Sequence, residues 1–156
     1  MSKFDLRALL AALHQHQVRF VVIGGVAVGA HGFLRGTEDL DIVPAPDPSN
    51  LKLLGAALEA LDSTMPTVEG RPFDLDKDEA VILRGGNVTA DTMFGGLDVV
   101  QRLRGVPAYS VLAEDAVDSD LLGVPVRVCS LARLREMKQT LSRAQDRIDL
   151  ENLPEG

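Results

Sequence analysis

Ile23-Gly24-Gly25-Val26-Ala27-Val28-Gly29-Ala30-His31-Gly32-Phe33-Leu34-Arg35-Gly36-Thr37-Glu38-Asp39-Leu40-Asp41-Ile42 is the stretch whose reading decides the fold. It follows the β-branched run Val18–Ile23, which suits a strand buried on both faces. Gly24 and Gly25 end that strand, and the small apolar segment Val26–Gly32 reads as a short helix. After a turn at Leu34–Thr37, Leu40–Val43 reads as a second strand, stopped by Pro44, Pro46 and Pro48.

Three features coincide here. Two glycines between a strand and a helix let backbone approach a ligand closely, and a helix start offers free N–H groups to a phosphate. Asp39 and Asp41 flank Leu40, so strand alternation turns both carboxylates to one face and Leu40 and Ile42 to the core. Their Cα atoms should lie roughly 6.5–7 Å apart, a spacing that lets the side chains converge on paired divalent cations. Two like charges on a largely buried strand are costly unless a cation offsets them; a polar strand end facing solvent is the bland alternative. Arg35 and Thr37 precede the acids at the same spacing. The guanidinium could hold phosphate or brace a carboxylate, and Thr37 could bond a neighbouring aspartate or shape the turn.

Together, Gly24–Gly25 and Asp39–Leu40–Asp41 resemble the signature of the nucleotidyltransferase superfamily. The Arg-x-Thr-x-Asp-Leu-Asp-Ile form looks most like the AbiEii-type and minimal (MNT-like) nucleotidyltransferases of toxin–antitoxin systems. The stretch Gly123–Leu131 with Leu134, Lys138, Arg143, Asp146, Asp149 and Leu150 is similar to the closing strand and helix of that family. The resemblance implies a nucleoside triphosphate with two Mg²⁺ (or Mn²⁺) ions, held by Asp39, Asp41 and a third carboxylate on a neighbouring strand. Asp98, a lone acid in Gly96-Leu97-Asp98-Val99-Val100, fills that place, with Asp91 as the alternative. It further implies phosphates against Gly24 and Gly25, and charge neutralisation by Lys138, Arg143 and, less directly, Arg35. The acceptor would be a hydroxyl of tRNA or protein, and a cognate toxin or antitoxin a partner. A silent binding or regulatory module of the same fold is the competing reading. A dinucleotide-binding Rossmann domain fits poorly, since Val26 stands where the fingerprint needs its second glycine.

Outside this stretch, Phe4–His16 reads as a helix from the spacing of Leu6, Leu9, Leu10 and Leu13. Ser49 or Asn50 should cap a helix Leu51–Leu61, and Asp62–Asp78 reads as an irregular connection. Ala80–Leu83 and Asn87–Phe94 read as strands around Gly85–Gly86, and Leu97–Leu103 as another. A short helix Tyr109–Val117 and a strand Gly123–Val128 follow. Ser130 then caps a long C-terminal helix with a stripe of Leu131, Leu134, Met137, Leu141, Ala144 and Ile148. The order implies one α/β (α+β) domain over residues 1–156, a mixed sheet flanked by helices.

With 156 residues the chain can bury a sizeable core, and with no Trp and one Tyr that core rests on aliphatic side chains. The net charge of −7 argues against a general nucleic-acid-coating surface. Between Val126 and Arg147, however, six basic residues face two acidic ones, a local hint of a basic patch. Single Cys129 excludes an internal disulfide framework and reads as a buried thiol, fitting a reducing compartment. No apolar run approaches the ~20 residues of a membrane span, and the first residues lack a signal-peptide core, so a cytoplasmic protein is expected. His31 reads as a local backbone brace, and His14 and His16 as helix-end residues.

Overall fold

The computed structural model describes residues 4–66 and 69–155. Its elements are α1 (Leu6–Gln15), β1 (Phe20–Ile23), α2 (Gly24–Ala30), β2 (Asp39–Pro44), α3 (Pro48–Ala60), α4 (Leu75–Leu83), β3 (Val88–Thr92), β4 (Gly95–Val99), α5 (Tyr109–Glu114), β5 (Val117–Leu121), β6 (Val124–Val128), α6 (Leu131–Leu141) and α7 (Ala144–Asn152). One six-stranded sheet runs in the order β3-β4-β2-β1-β6-β5. It is mixed: β1 is antiparallel to β2 and parallel to β6, β2 is parallel to β4, and β3–β4 and β5–β6 are antiparallel pairs.

Central β1 is buried along its whole length, which its unbroken Phe-Val-Val-Ile composition requires. On β2 alternation separates two populations: Leu40 and Ile42 are wholly buried, whereas Asp39 and Asp41 emerge on the other face. Around this sheet α1 rests on β6 and α3, α3 on α4, α2 on β1 and β2, α5 on β1, and α6 on α2 and α7. No helix among the described residues is long and apolar enough to cross a membrane.

Several expectations are corrected. Ala80–Leu83 is the last turn of helix α4, not a strand. The Asp74 side chain caps it by accepting from Asp76 N–H, and buried Asp78 is clamped by Arg71 at 2.8 and 2.9 Å. These local bonds override the β-branched character of Val81 and Ile82. Asn50 does not cap α3: Asp47 is the N-cap with Pro48 after it, and Asn50 is buried, bonding the backbone of Arg19 and Ala45. The expected helix over Tyr109–Val117 stops at Glu114, and Val117–Leu121 is an additional strand. It forms a hairpin with β6 through Leu122 and Gly123, both at positive φ as a tight primed turn demands. Beyond Val99 the expected strand Leu97–Leu103 becomes a loop, and β4 instead begins at Gly95.

The C-terminal helix is two helices. Ser130 caps α6 as expected, accepting from Arg133 N–H at 3.1 Å, but the chain turns at Ser142, which adopts φ +50. Arg143 then opens α7, with its backbone N–H donating to Asp146 at 3.0 Å. Ile148, expected in the apolar stripe, is 47% exposed, while Asp146 and Asp149 are fully buried. Charge rather than apolar area seats α7. Lys138 Nζ stands 3.0 Å from both Asp146 and Asp149, and Arg35 binds Asp149 through two bonds of 2.8 and 3.1 Å. Burial alone would push Asp146 up, but Arg143 and Lys138 hold it down at about 2.

Removing Asp149 leaves largely covered Arg35 without its carboxylate and takes one of two counter-charges from buried Lys138. Asp149→Ala is therefore expected to cost about 3 kcal/mol in urea denaturation, whereas Ile148→Ser should change stability by less than about 0.5 kcal/mol.

Candidate functional site

Strand register assembles the site. Asp41 lies directly beside Asp98 in the parallel β2–β4 ladder, and Ile23 beside Asp41 on β1. Thr89 on β3 faces Asp98 from the other side. One step along, Asp39 faces Gly96, which in turn faces Asp91. Asp39, Asp41, Asp98 and Asp91 thus share one face of three adjacent strands. Both candidates for the third carboxylate lie there, but only Asp98 is the direct neighbour of Asp41.

The electrostatics are those of crowded anions. Burial, a hydrogen bond to Asp98 and the charges of Asp98 and Asp39 push Asp41 up to about 7, against a smaller downward pull from Lys138. Asp39 is also raised, by burial first and then by Asp98, Glu38 and Asp91. A raised carboxyl is one that keeps its proton more readily, and a cation among these carboxylates would relieve the same repulsion. The donor set is entirely hard oxygen, matching magnesium or manganese rather than a thiophilic metal. Among the described residues, no three His, Cys, Asp or Glu side chains are already gathered around one point as a metal cage. The carboxylates would have to turn toward a shared ion, and the short aspartate side chains can do so without moving the strands.

The glycine pair makes room for side chains of the chain itself. A Cβ on Gly24 would lie 2.0 Å from Asp41 Oδ2, and φ there is +70, so only glycine lets this carboxylate fold over the β1–α2 junction. A Cβ on Gly25 would meet Thr37 Oγ1 at 3.0 Å and Arg35 Nη2 at 3.1 Å. Arg35 braces a carboxylate, Asp149, and Thr37 donates to the Asp39 carbonyl at 3.2 Å. In the described structure Arg35 therefore ties the loop between α2 and β2 to α7, while Thr37 makes a local bond to the start of β2.

A cavity of about 270 Å³ opens beside Asp41 and Asp98. Gly24, Lys138 and Arg143 border it, with Leu103 and Met137 among its apolar walls. Lys138 is 5% exposed and already bonded to two aspartates, whereas the Arg143 side chain is two-thirds exposed and, among the described residues, bonded to Asp146 alone. Arg143 is thus the more available cation. A larger cavity, about 390 Å³, lies at the start of β1, where Arg19 and Arg127 already pair with Asp47 and Asp118.

The basic run near the C-terminus is largely neutralised. Arg127 pairs with Asp118, Arg133 with Asp115 and Glu136, Lys138 with Asp146 and Asp149, and Arg143 with Asp146. The sequence count could not show this, because Asp115 and Asp118 enter from α5's end and β5. His31 Nε2 bonds the Cys129 carbonyl at 2.7 Å, and buried Cys129 has its thiol pushed up to about 12, chiefly by burial. Asp146 and Asp149, matched to the family's closing helix in the sequence but given no site role there, are the buried partners of Lys138. Their signal was present: two acids three apart, on the face opposite Ile148.

The fold recurs among solved structures. A candidate nucleotidyltransferase from Thermotoga maritima is similar at 15% identity and TM-score 0.58, covering 94% of this chain and 88% of that one. The structure of ANT(2″)-Ia in complex with adenylyl-2″-tobramycin is similar at 14% identity and TM-score 0.59, covering 94% and 83%. A solution structure of the antibiotic-resistance factor ANT(2″)-Ia is similar at 15% identity and TM-score 0.50, covering 94% and 87%. No family model matches the chain, and no curated protein matches it in sequence. At these identities the likeness is one of architecture, and the chain has the mixed α/β fold of nucleotidyltransferases.

Proposed function

We propose that this protein is a nucleotidyltransferase that moves a nucleoside monophosphate from a nucleoside triphosphate to an acceptor hydroxyl. The observation that carries the reading is the placement of Asp41 beside Asp98, with Asp39 on the same face at the end of the strand opposite Gly96. Asp39, Asp41 and Asp98 would hold two Mg²⁺ or Mn²⁺ ions. When bound, such ions stabilise negative charge on the attacking and leaving oxygens. The fold neighbours support this reading at the level of architecture.

The chain's own residues would act as follows. Gly24 and Gly25 shape the edge that receives the triphosphate, and Arg143, with Lys138 behind it, faces its negative charge across the cavity. Arg35 and Thr37 would act on the nucleotide through the loop they hold. The acceptor O–H attacks the α-phosphorus, a new P–O bond forms, and the bond to the β-phosphate oxygen breaks to release pyrophosphate. Asp98 would take the hydroxyl proton. Asp91, across Gly96 from Asp39, is the second candidate for that task.

The acceptor class includes tRNA and protein, and the charge distribution favours protein. A net charge of −7, with most of the basic C-terminal run internally paired, offers a polyanion little attraction. The AbiEii-type form of the motif further suggests work within a toxin–antitoxin pair in the cytoplasm. The test is incubation of purified protein with Mg²⁺, each labelled nucleoside triphosphate, tRNA and protein acceptors. Label transfer that Asp41→Asn and Asp98→Asn each reduce by about 10³-fold supports the reading. Absence of both transfer and metal-dependent nucleotide binding leaves the silent-module reading standing.

Asp41 yields a second expectation. Its carboxyl is raised in the folded state, so the native protein binds its proton more tightly than the unfolded chain does. Stability is therefore lost as pH rises from the ordinary carboxylate range through about 7. Asp41→Asn should stabilise the metal-free protein by about 1–2 kcal/mol at pH 8 and by almost nothing at pH 4. Adding Mg²⁺ at pH 8 should raise the melting temperature of the wild type and not of the variant. Equal melting temperatures with and without Mg²⁺ in the wild type would count against the site.

A further inference from the structure

Asp39 can join Asp41 and Asp98 only if its carboxylate leans across the sheet, and the residue that permits this lies outside the acidic motif. In the parallel ladder Asp39 faces Gly96 on β4. A Cβ built on Gly96 would lie 2.0 Å from Asp39 Oδ1, with Asp39 Cγ at 3.1 Å. The carboxylate therefore occupies the space where any other residue at position 96 would place its side chain. It rests over β4, the strand that carries Asp98 two residues further on.

Backbone geometry does not demand glycine at this position. Gly95 has φ +113 and serves the turn from β3, whereas Gly96 lies outside the left-handed region. A glycine within a five-residue strand weakens it, and its usual justification is close approach by another group. The three atoms nearest a Cβ at Gly96 all belong to the Asp39 side chain.

We propose that Gly96 is a positioning residue for the metal-binding carboxylates: its missing side chain lets Asp39 lie over β4 and close on Asp98. This rests on the nucleotidyltransferase reading of the same site. A methyl group at position 96 would turn Asp39 away from β4, leaving Asp41 and Asp98 to hold cations without it. The backbone and core would be undisturbed, because the only group displaced is the end of a flexible side chain.

The experiment is a double-mutant cycle read by Mn²⁺ binding in calorimetry, with melting temperatures recorded in the absence of metal. It uses the wild type, Gly96→Ala, Asp39→Ala, the double variant, and Gly29→Ala as a control glycine with open space around it. Gly96→Ala is expected to weaken Mn²⁺ binding by about tenfold or more. Its metal-free melting temperature should stay equal or rise, since alanine reduces the freedom of the unfolded chain. The double variant should bind no more weakly than Asp39→Ala, because both changes remove the same ligand. Gly29→Ala should bind as the wild type does. Gly96→Ala binding Mn²⁺ as tightly as the wild type would overturn the proposal while leaving the metal site intact. So would additive losses in the double variant, which would mean that Gly96 acts independently of Asp39. A wild type that binds no Mn²⁺ would instead overturn the metal reading, and this proposal with it.

Discussion

The parallel pairing of β2 with β4 is the constraint on which the site depends. It sets Asp41 against Asp98 at one rung and, beyond the Leu40–Leu97 rung, Asp39 against Gly96. Adjacent strands lie about 4.8 Å apart, so paired carboxylates such as Asp41 and Asp98 cannot avoid one another's field. A slip of one residue would send Leu40 and Ile42 to the surface and both aspartates into the core. The apolar residues between the acids therefore secure the register, and the register secures the electrostatics. Fully buried Leu40, Ile42 and Leu97 are as necessary to this arrangement as the carboxylates they separate.

That repulsion is tolerated because the surrounding chain yields space to it. Gly24 and Gly96 are each so placed that a Cβ would stand 2.0 Å from an aspartate oxygen, one from Asp41 and the other from Asp39. The first glycine belongs to the strand–helix junction and is easily seen in sequence. The second interrupts an ordinary strand, with nothing in its local pattern to mark it. Only the pairing of β4 with β2, residues nearly sixty apart in the chain, shows what Gly96 faces.

What could be read in advance divides along the same line. The strand–helix–strand unit from β1 to β2 was legible because its signals are local: a β-branched run, a glycine pair, alternating acids and a proline stop. Asp98 was legible as a single acid among apolar neighbours. The α4 helix was not, because Val81 and Ile82 look like strand residues until the Asp74 cap and the Arg71–Asp78 clamp are known. The break at Ser142 escaped for a related reason. A continuous helical stripe through Ile148 satisfies hydrophobic periodicity, but two buried aspartates on another face of α7 satisfy Lys138 and Arg35. Charge pairing over long separations outweighed a local apolar pattern.

Those two aspartates also change what the nearby cations can do. Counted along the sequence, Arg35, Lys138 and Arg143 are three positive charges assigned to an expected phosphate site. In the folded chain they share Asp146 and Asp149, leaving a net single positive charge in the cluster. The fully buried carboxylates fix Lys138 and Arg35 in place, so neither cation is available to roam toward a ligand at the open face. Arg143 differs because its head is largely exposed and its one partner lies on its own helix, three residues away. Asp146 is fully buried but the Arg143 guanidinium is two-thirds exposed, so of the three cations it presents the most charge to solvent. The cluster thus separates one exposed cation from two covered ones, by burial rather than by residue type. The two covered cations are balanced by the two buried aspartates, so the net positive charge of the cluster resides at the exposed Arg143 head, on the border of the cavity beside Asp41.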